Sequence, residues 1–347
     1  MAEPQRLLVQ AFTLKPVAAV NDIRVHQPLA AMARLPGVRT HAFTAGGTMA
    51  RPEPGEASVF IWQRQILDPA RPDEHLALLR AGHLVLSEWD DDPRIWPKVV
   101  ETNFFCLRTS LGVQTSTDPL AKFIAAHNPE VGLFPNQLDQ VPPFRPGTDG
   151  RPVTLFFGAL NREEDWAPVM PELNRVLAWA GDRVRVVVVH DRRFFDALDT
   201  PHKGFQPTCD HARYRALLRR CDIALLPLGD RVSNHMKSDL KFLECAAESV
   251  AVLASPVVYD SIIKPGVTGL IYRTPRQFNL RLRALIGDPG LRRGLARAAW
   301  MEVNAERRLE THVGARVDWY RGLLARKDAL IRDMLARTPE LRTRVAG

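Results

Sequence analysis

The 347-residue chain has only four cysteines, Cys106, Cys209, Cys221 and Cys245, and none forms a CxxC pair. That spacing suggests neither a zinc site nor a disulfide framework and suits a reducing cytosol. Aromatic residues make up 7%. No apolar run is long enough to span a bilayer; the longest are strand-sized. The opening "MAEPQRLLVQAF" has no extended apolar stretch after its first charges and does not read as a signal peptide. There is no solenoid repeat, and no GxGxxG, P-loop, GxSxG or HExxH motif.

What is present is ordinary soluble-protein composition, 46% hydrophobic and 25% charged, with a net charge of +8. The positive balance favours an anionic ligand without choosing among nucleotide, phosphate, nucleic acid and membrane surface. Basic residues are scattered along helical patterns rather than interleaved with aromatics, which disfavours nucleic acid.

Short apolar runs alternate with helical patterns. Segments 6–12, 38–43, 57–63, 83–89 and 131–136 read as strands, and 27–35 and 73–81 as helices. The stretch 140–152, rich in proline and glycine, reads as a linker. Beyond it, 153–160, 183–190, 222–228 and 249–255 are apolar enough to be parallel strands covered on both faces. The expected fold class is α/β: two doubly wound Rossmann-like domains, 1–145 and 152–310, facing a cleft. A helical segment, 311–347, has an apolar face of its own. Ligands of such sheets bind at the carboxyl ends of the strands.

The segment "NHMKSDLKFLECAAESVAVLAS" (234–255) poses the sharpest question. A helix starting near Ser238 or Asp239 would place Lys237, Lys241, Glu244 and Glu248 along one face, beside an N-terminus whose dipole favours anions. Two ammonium groups there suit a diphosphate, and a carboxylate two turns in suits a ribose diol. The bland alternative is a surface helix with a lysine pair and incidental glutamates. Gly158, Asn161 and Arg162 follow the strand 153–160, where glycine lets backbone approach phosphate and arginine grips it. In the first half, Asn21, Asp22, Arg24 and His26 follow the first strand, and Asp22 or His26 could serve as a general base. In "SEWDDDP" (87–93), Glu88, Asp90 and Asp91 could hold acceptor hydroxyls. Asp90 and Asp92 also spell a DxD, a common tripeptide that in some enzymes holds a divalent cation; a solvated acidic turn is the plain alternative. Tyr259 and Lys264 are further residues that could approach a donor, and "HDRRFF" (190–195) reads as a turn.

With these residues in view, the chain resembles GT-B glycosyltransferases, close to the retaining family-four type. The likeness is best over 214–272, with an "LECAA" helix core, over "VTLFFGALNREEDW" (153–166), and over 107–139 with its strand, Ser-Thr turn, helix and "PNQLD" close. The resemblance implies a nucleotide-diphosphate sugar as co-substrate, no cofactor and no metal, and a hydroxyl acceptor. It also implies a C-terminal segment that packs back on the first domain. By position Glu244 matches the second glutamate of an E-x7-E motif, which implies ribose binding. Met236 stands where the first glutamate belongs, and Ala159 where an arginine belongs. Lys237, Ser238, Asp239 and Lys241 fall on the donor loop and helix start. The expected protein is a cytoplasmic glycosyltransferase with room for peripheral association at a membrane face and no nucleic-acid partner. A non-catalytic GT-B-like binding module is the alternative.

Overall fold

The computed structural model describes residues 5–13, 20–145, 147 and 151–341. Part of the expected linker (146 and 148–150) and residue 19 of the loop after the first strand lie outside the described residues. Among the described residues are two six-stranded sheets whose neighbouring strands all pair in parallel. The chain divides into two compact units. One runs to Asp139 and takes in Met236–Ser238 and the described residues from Leu309; the other comprises the described residues of Gln140–His235 and Asp239–Arg308.

The first unit holds β1 (Arg6–Phe12), β2 (Val38–Phe43), β3 (Glu56–Gln63), β4 (Leu84–Trp89), β5 (Gly112–Thr115) and β6 (Val131–Leu133), in the order β2-β1-β3-β4-β5-β6. The chain starts beside the middle, steps outward to β2, then returns to β3 and proceeds the other way. The reversal falls between β1 and β3. One face of the sheet presents Leu7, Val9, Val59, Ile61, Leu84 and Leu86 to a core completed by Val313, Val317 and Leu323 of the helix Leu309–Leu324.

The second unit holds β7 (Val153–Gly158), β8 (Val184–Val189), β9 (Lys203–Gln206), β10 (Ile223–Leu226), β11 (Ala251–Ala254) and β12 (Leu270–Ile271), in the order β12-β11-β10-β7-β8-β9. Its reversal lies between β7 and β10. Leu155, Phe157, Val186, Val188, Ile223 and Leu225 pack against Leu173 and Val176 of the helix Met170–Ala180 and Leu282 of the helix Pro275–Gly287. The near-continuous apolar strands of this sheet are what burial on both faces demands.

Several elements end or begin differently from the sequence reading. The chain from Gln140 packs with the second unit, so the first ends short of residue 145. The 190–195 stretch is not a bare turn: Asp191 accepts the Phe194 N–H at 2.9 Å and starts the helix Arg192–Ala197. No helix among the described residues is long and apolar enough to cross a membrane.

Candidate functional site

In a doubly wound sheet the loops leaving the two strands at the reversal diverge and open a crevice at the carboxyl edge. In the second unit those loops are Ala159–Arg162 after β7 and 227–235 after β10. One side chain ties them together. Asp165, on the short helix Glu163–Trp166, is buried, and its Oδ1 accepts from the Gly229 N–H (2.9 Å), Asn234 Nδ2 (2.9 Å) and Arg231 (2.7 Å). Its Oδ2 accepts from Arg162 at 3.1 Å, and Arg162 also donates to Asn234 Oδ1 at 3.1 Å. Arg231 pairs with Glu164 as well. The hub gives two guanidinium groups fixed positions at the reversal.

Lys241 and Glu244 lie on the helix Leu240–Ala247, which follows the second of these loops. The Lys241 ammonium donates to the Gly158 carbonyl and to Tyr214 Oη at 3.4 Å, and lies 5.3 Å from the centre of the Tyr214 ring. Gly158 has a different reason to be glycine from the one its sequence suggests. A Cβ there would stand 2.7 Å from the Phe156 ring and 2.7 Å from Tyr214 Cε2, so the glycine makes room for Tyr214. Burial, reinforced by the Glu244 charge, pushes the Tyr214 hydroxyl well above its ordinary pKa and keeps it a neutral donor. His190, just past β8, lies nearly parallel to the Tyr214 ring, 6.0 Å between centres; burial, then Lys241, holds its pKa down. Glu244 is 2% exposed and accepts from His211 Nε2 at 2.6 Å.

Backbone strain marks the same edge. Asn161 (φ 53°), His190 (φ 75°) and Val258 (φ 69°) adopt left-handed conformations, and each follows the carboxyl end of a strand, β7, β8 or β11. A β-branched residue in that region costs on the order of 1–3 kcal/mol, and such strain gathers where ligands are handled.

The helix starts where the sequence places it, with Asp239 at the N-cap position and helix geometry from Leu240, but the expected side-chain cap is absent. The Asp239 carboxylate is instead gripped by Arg307 at 2.7 and 3.2 Å. Lys237 precedes the helix and shares no helix face with Lys241. With Met236 and Ser238 it belongs to the first unit, where its ammonium binds Asp91 at 2.9 Å. Met236 is buried among Trp89, Val99, Leu120 and Ile124, and its carbonyl accepts from Thr117 Oγ1 at 3.0 Å. Ser238 Oγ accepts from Asn136 Nδ2 at 2.8 Å. The expected pair of ammonium groups over one helix tip is therefore divided between two units. Glu248 is likewise engaged, by Arg215 and Arg219.

In the first unit, Asn21 and Asp22 lead into a π-helical turn, Asp22–His26, which turns Arg24 inward. Arg24 is 2% exposed and Glu88 0%. Arg24 Nε donates to Glu88 Oε1 at 2.7 Å, and its Nη1 to the Phe134 carbonyl and Asn136 Oδ1. Burial raises the Glu88 pKa, and Arg24 opposes it. Neither residue is the open acceptor contact that a loop reading suggests; both are committed to a buried ion pair at the carboxyl end of the sheet. Gln63, Glu88 and Gln114 stand side by side on β3, β4 and β5, with Tyr320 Oη donating to Gln114 at 2.7 Å. The acidic triplet beyond Glu88 is also paired. Arg64 donates to Asp90 at 2.6 Å and Asp91 at 3.3 Å, and Arg94 binds both oxygens of Asp92. Burial alone would raise the Asp90 pKa; the charge and hydrogen bond of Arg64, helped by Arg24, together outweigh it and hold it low. Asp90 and Asp92 thus turn to different arginines. Among the described residues, no three His, Cys, Asp or Glu side chains are arranged to hold a metal ion.

Two parallel doubly wound sheets with this strand order define the class, and solved structures agree. The chain superposes on sucrose-phosphate synthase from Thermosynechococcus elongatus with a TM-score of 0.63 at 13% identity, covering 92% of this chain and 99% of that one. It matches HepE from Anabaena, solved with UDP and glucose, with a TM-score of 0.64 at 12% identity, covering 92% and 100%. WaaG, a glycosyltransferase of lipopolysaccharide biosynthesis, gives 0.60 at 13% identity, covering 90% and 98%. The fold is GT-B. Within that class, residues 172–315, which include Lys241 and Glu244, match the family model described as glycosyl transferase-like. No curated protein matches the chain in sequence.

Proposed function

We propose that the protein is a glycosyltransferase that moves a sugar from a nucleotide-diphosphate donor to an acceptor hydroxyl, with retention at the anomeric carbon and without a metal ion. The observation that carries this reading is the reversal between β7 and β10, where Asp165 fixes Arg162 and Arg231 and where Lys241 follows on the next helix. Cations held in place before reaction stabilise charge that develops on a departing diphosphate. The donor would be held by the edge of the second unit, with Glu244 on the ribose and Lys241 and Arg162 on the phosphates. With retention, the departing phosphate oxygen takes the proton of the attacking hydroxyl, so no separate base is required. Asp22, half-buried after β1, is the base available to an inverting reaction. The UDP and glucose seen with HepE support a uridine donor as the first to try.

Calorimetric titration with UDP, GDP, dTDP and CMP, followed by product analysis with the matching sugar nucleotides, tests the reading. Lys241→Ala is expected to lower kcat about 100-fold or more while far-UV circular dichroism stays unchanged; near-normal turnover would remove the lysine from the mechanism. A second reading is a GT-B-like binding module without activity. What favours it is Met236, which puts a thioether into an apolar cluster where the resembled family has a glutamate. Nucleotide binding with no transfer to any acceptor would establish that alternative.

A further inference from the structure

Glu244 is nine-tenths buried, and only one of its oxygens is used by the protein. Oε1 accepts from His211 Nε2 at 2.6 Å; Oε2 accepts from no described residue. His211 is itself 7% exposed and opens the helix His211–Leu218, whose start is fixed by Asp210 accepting the Arg213 N–H at 2.7 Å. The imidazole is buried, with its centre 6.4 Å from that of the Tyr214 ring.

We infer that His211 is a positioning residue for nucleotide binding: its Nε2–H pins Oε1 of Glu244 and so aims Oε2 as the single acceptor for one hydroxyl of the donor's ribose. This rests on the nucleotide-sugar reading of the same site. It adds a residue that no motif marks, and it restricts the carboxylate to one hydroxyl instead of a bidentate grip on the diol. His211 touches no reacting atom, so its loss weakens donor binding and leaves the chemical step intact.

The experiment is calorimetry with UDP, 2′-deoxy-UDP and 3′-deoxy-UDP on the full chain, paired with steady-state kinetics on UDP-sugars. The wild type is expected to bind one deoxy analogue about tenfold more weakly than UDP and to be indifferent to the other. His211→Phe keeps the ring and loses the N–H. It is expected to weaken UDP about tenfold, raise KM by the same factor, leave kcat unchanged and abolish the deoxy discrimination. His211→Gln places an amide N–H where Nε2 was and is expected to restore affinity to within about threefold of wild type. If His211→Phe does not fold, His211→Asn, too short to reach Oε1, takes its place with the same expected loss. Unchanged discrimination in a folded variant lacking the N–H, or equal penalties for both analogues in the wild type, overturns the inference. A wild type that binds no nucleoside diphosphate at all overturns the donor reading itself, and this inference with it.

Discussion

A buried histidine shows how a single side chain sets a pH response. Trp62 Nε1–H donates to His75 Nδ1 at 3.3 Å, and His75 Nε2 faces the Thr109 carbonyl at 3.1 Å, so the ring is the neutral Nε2–H tautomer. A second proton would confront the Trp62 donor. Burial holds the pKa down to about 4, with the Thr109 contact opposing only weakly. The unfolded histidine, near the ordinary 6.5, takes its proton first as acid is added. The stabilisation is therefore complete above pH 6.5 and is lost as pH falls toward about 4. Between pH 7 and pH 5 the loss is about 2 kcal/mol. His83, His127 and His190, also pushed down by burial, slope the same way. Unfolding free energies from urea titrations at the two pH values should differ less in His75→Gln than in wild type by about that amount; equal differences would clear His75 of the effect. None of this is visible in sequence, because the partners of His75 lie 13 and 34 residues away. The same holds for Arg24 and Glu88, 64 residues apart, and for His211 and Glu244, 33 apart. Residue types announced a polar edge; only the fold says which polar groups spend themselves on each other.

At the scale of elements, the strands of the second unit were legible because burial on both faces leaves an unbroken apolar run, as in Val184–Val189 and Ile223–Leu226. The edge strand β9, "KGFQ", escaped because it lacks such a run. The helix at 240–247 is legible, with Asp239 at its N-cap position, but the side chain of Asp239 does not cap it. The sequence preference of Asp239 for capping competes with its ion pair to Arg307, and the ion pair wins. Without helix geometry at residue 237, an i,i+4 spacing carries no facial meaning. The hub at Asp165 belongs to this scale, since it joins the loop after β7 to the loop after β10. Asp165→Ala would leave Arg162 short of its anionic partner and the Gly229 N–H without an acceptor. A cost of about 3 kcal/mol is expected from such an uncompensated charge, together with faster amide exchange at Gly229 and Asn234. Loss of stability without faster exchange in that loop would mean that the hub supports the helix Glu163–Trp166 alone.

Over the whole chain, the C-terminal helices belong to the unit that the N-terminal strands begin. Leu309, Val313, Val317, Leu323 and Met334 are buried in the same core as Leu7, Val9 and Val59, whereas the second unit, in which Ala299 and Val303 are still buried, ends at Arg308. At about 2 kcal/mol for each of these five side chains, their burial stands for about 10 kcal/mol. That equals the entire net stability of an ordinary domain, about 5–15 kcal/mol. Tyr320 adds the only side-chain partner that Gln114 has among the described residues. A chain ending at Arg308 should therefore be unable to hold β1–β6 together, while β7–β12, whose core is intact, should keep its protection. Hydrogen exchange resolved by peptide separates the outcomes. Slow exchange surviving in Leu7–Ala11 and Leu84–Leu86 of the shortened chain would show that the first sheet is stabilised by its own crossover helices and not by the returning C-terminus. Fast exchange there, with Val184–Val189 still protected, is what the division of the two cores requires. Restoring Leu309–Leu324 alone should recover part of that protection, since this helix supplies Val313, Val317 and Leu323 directly beneath the sheet.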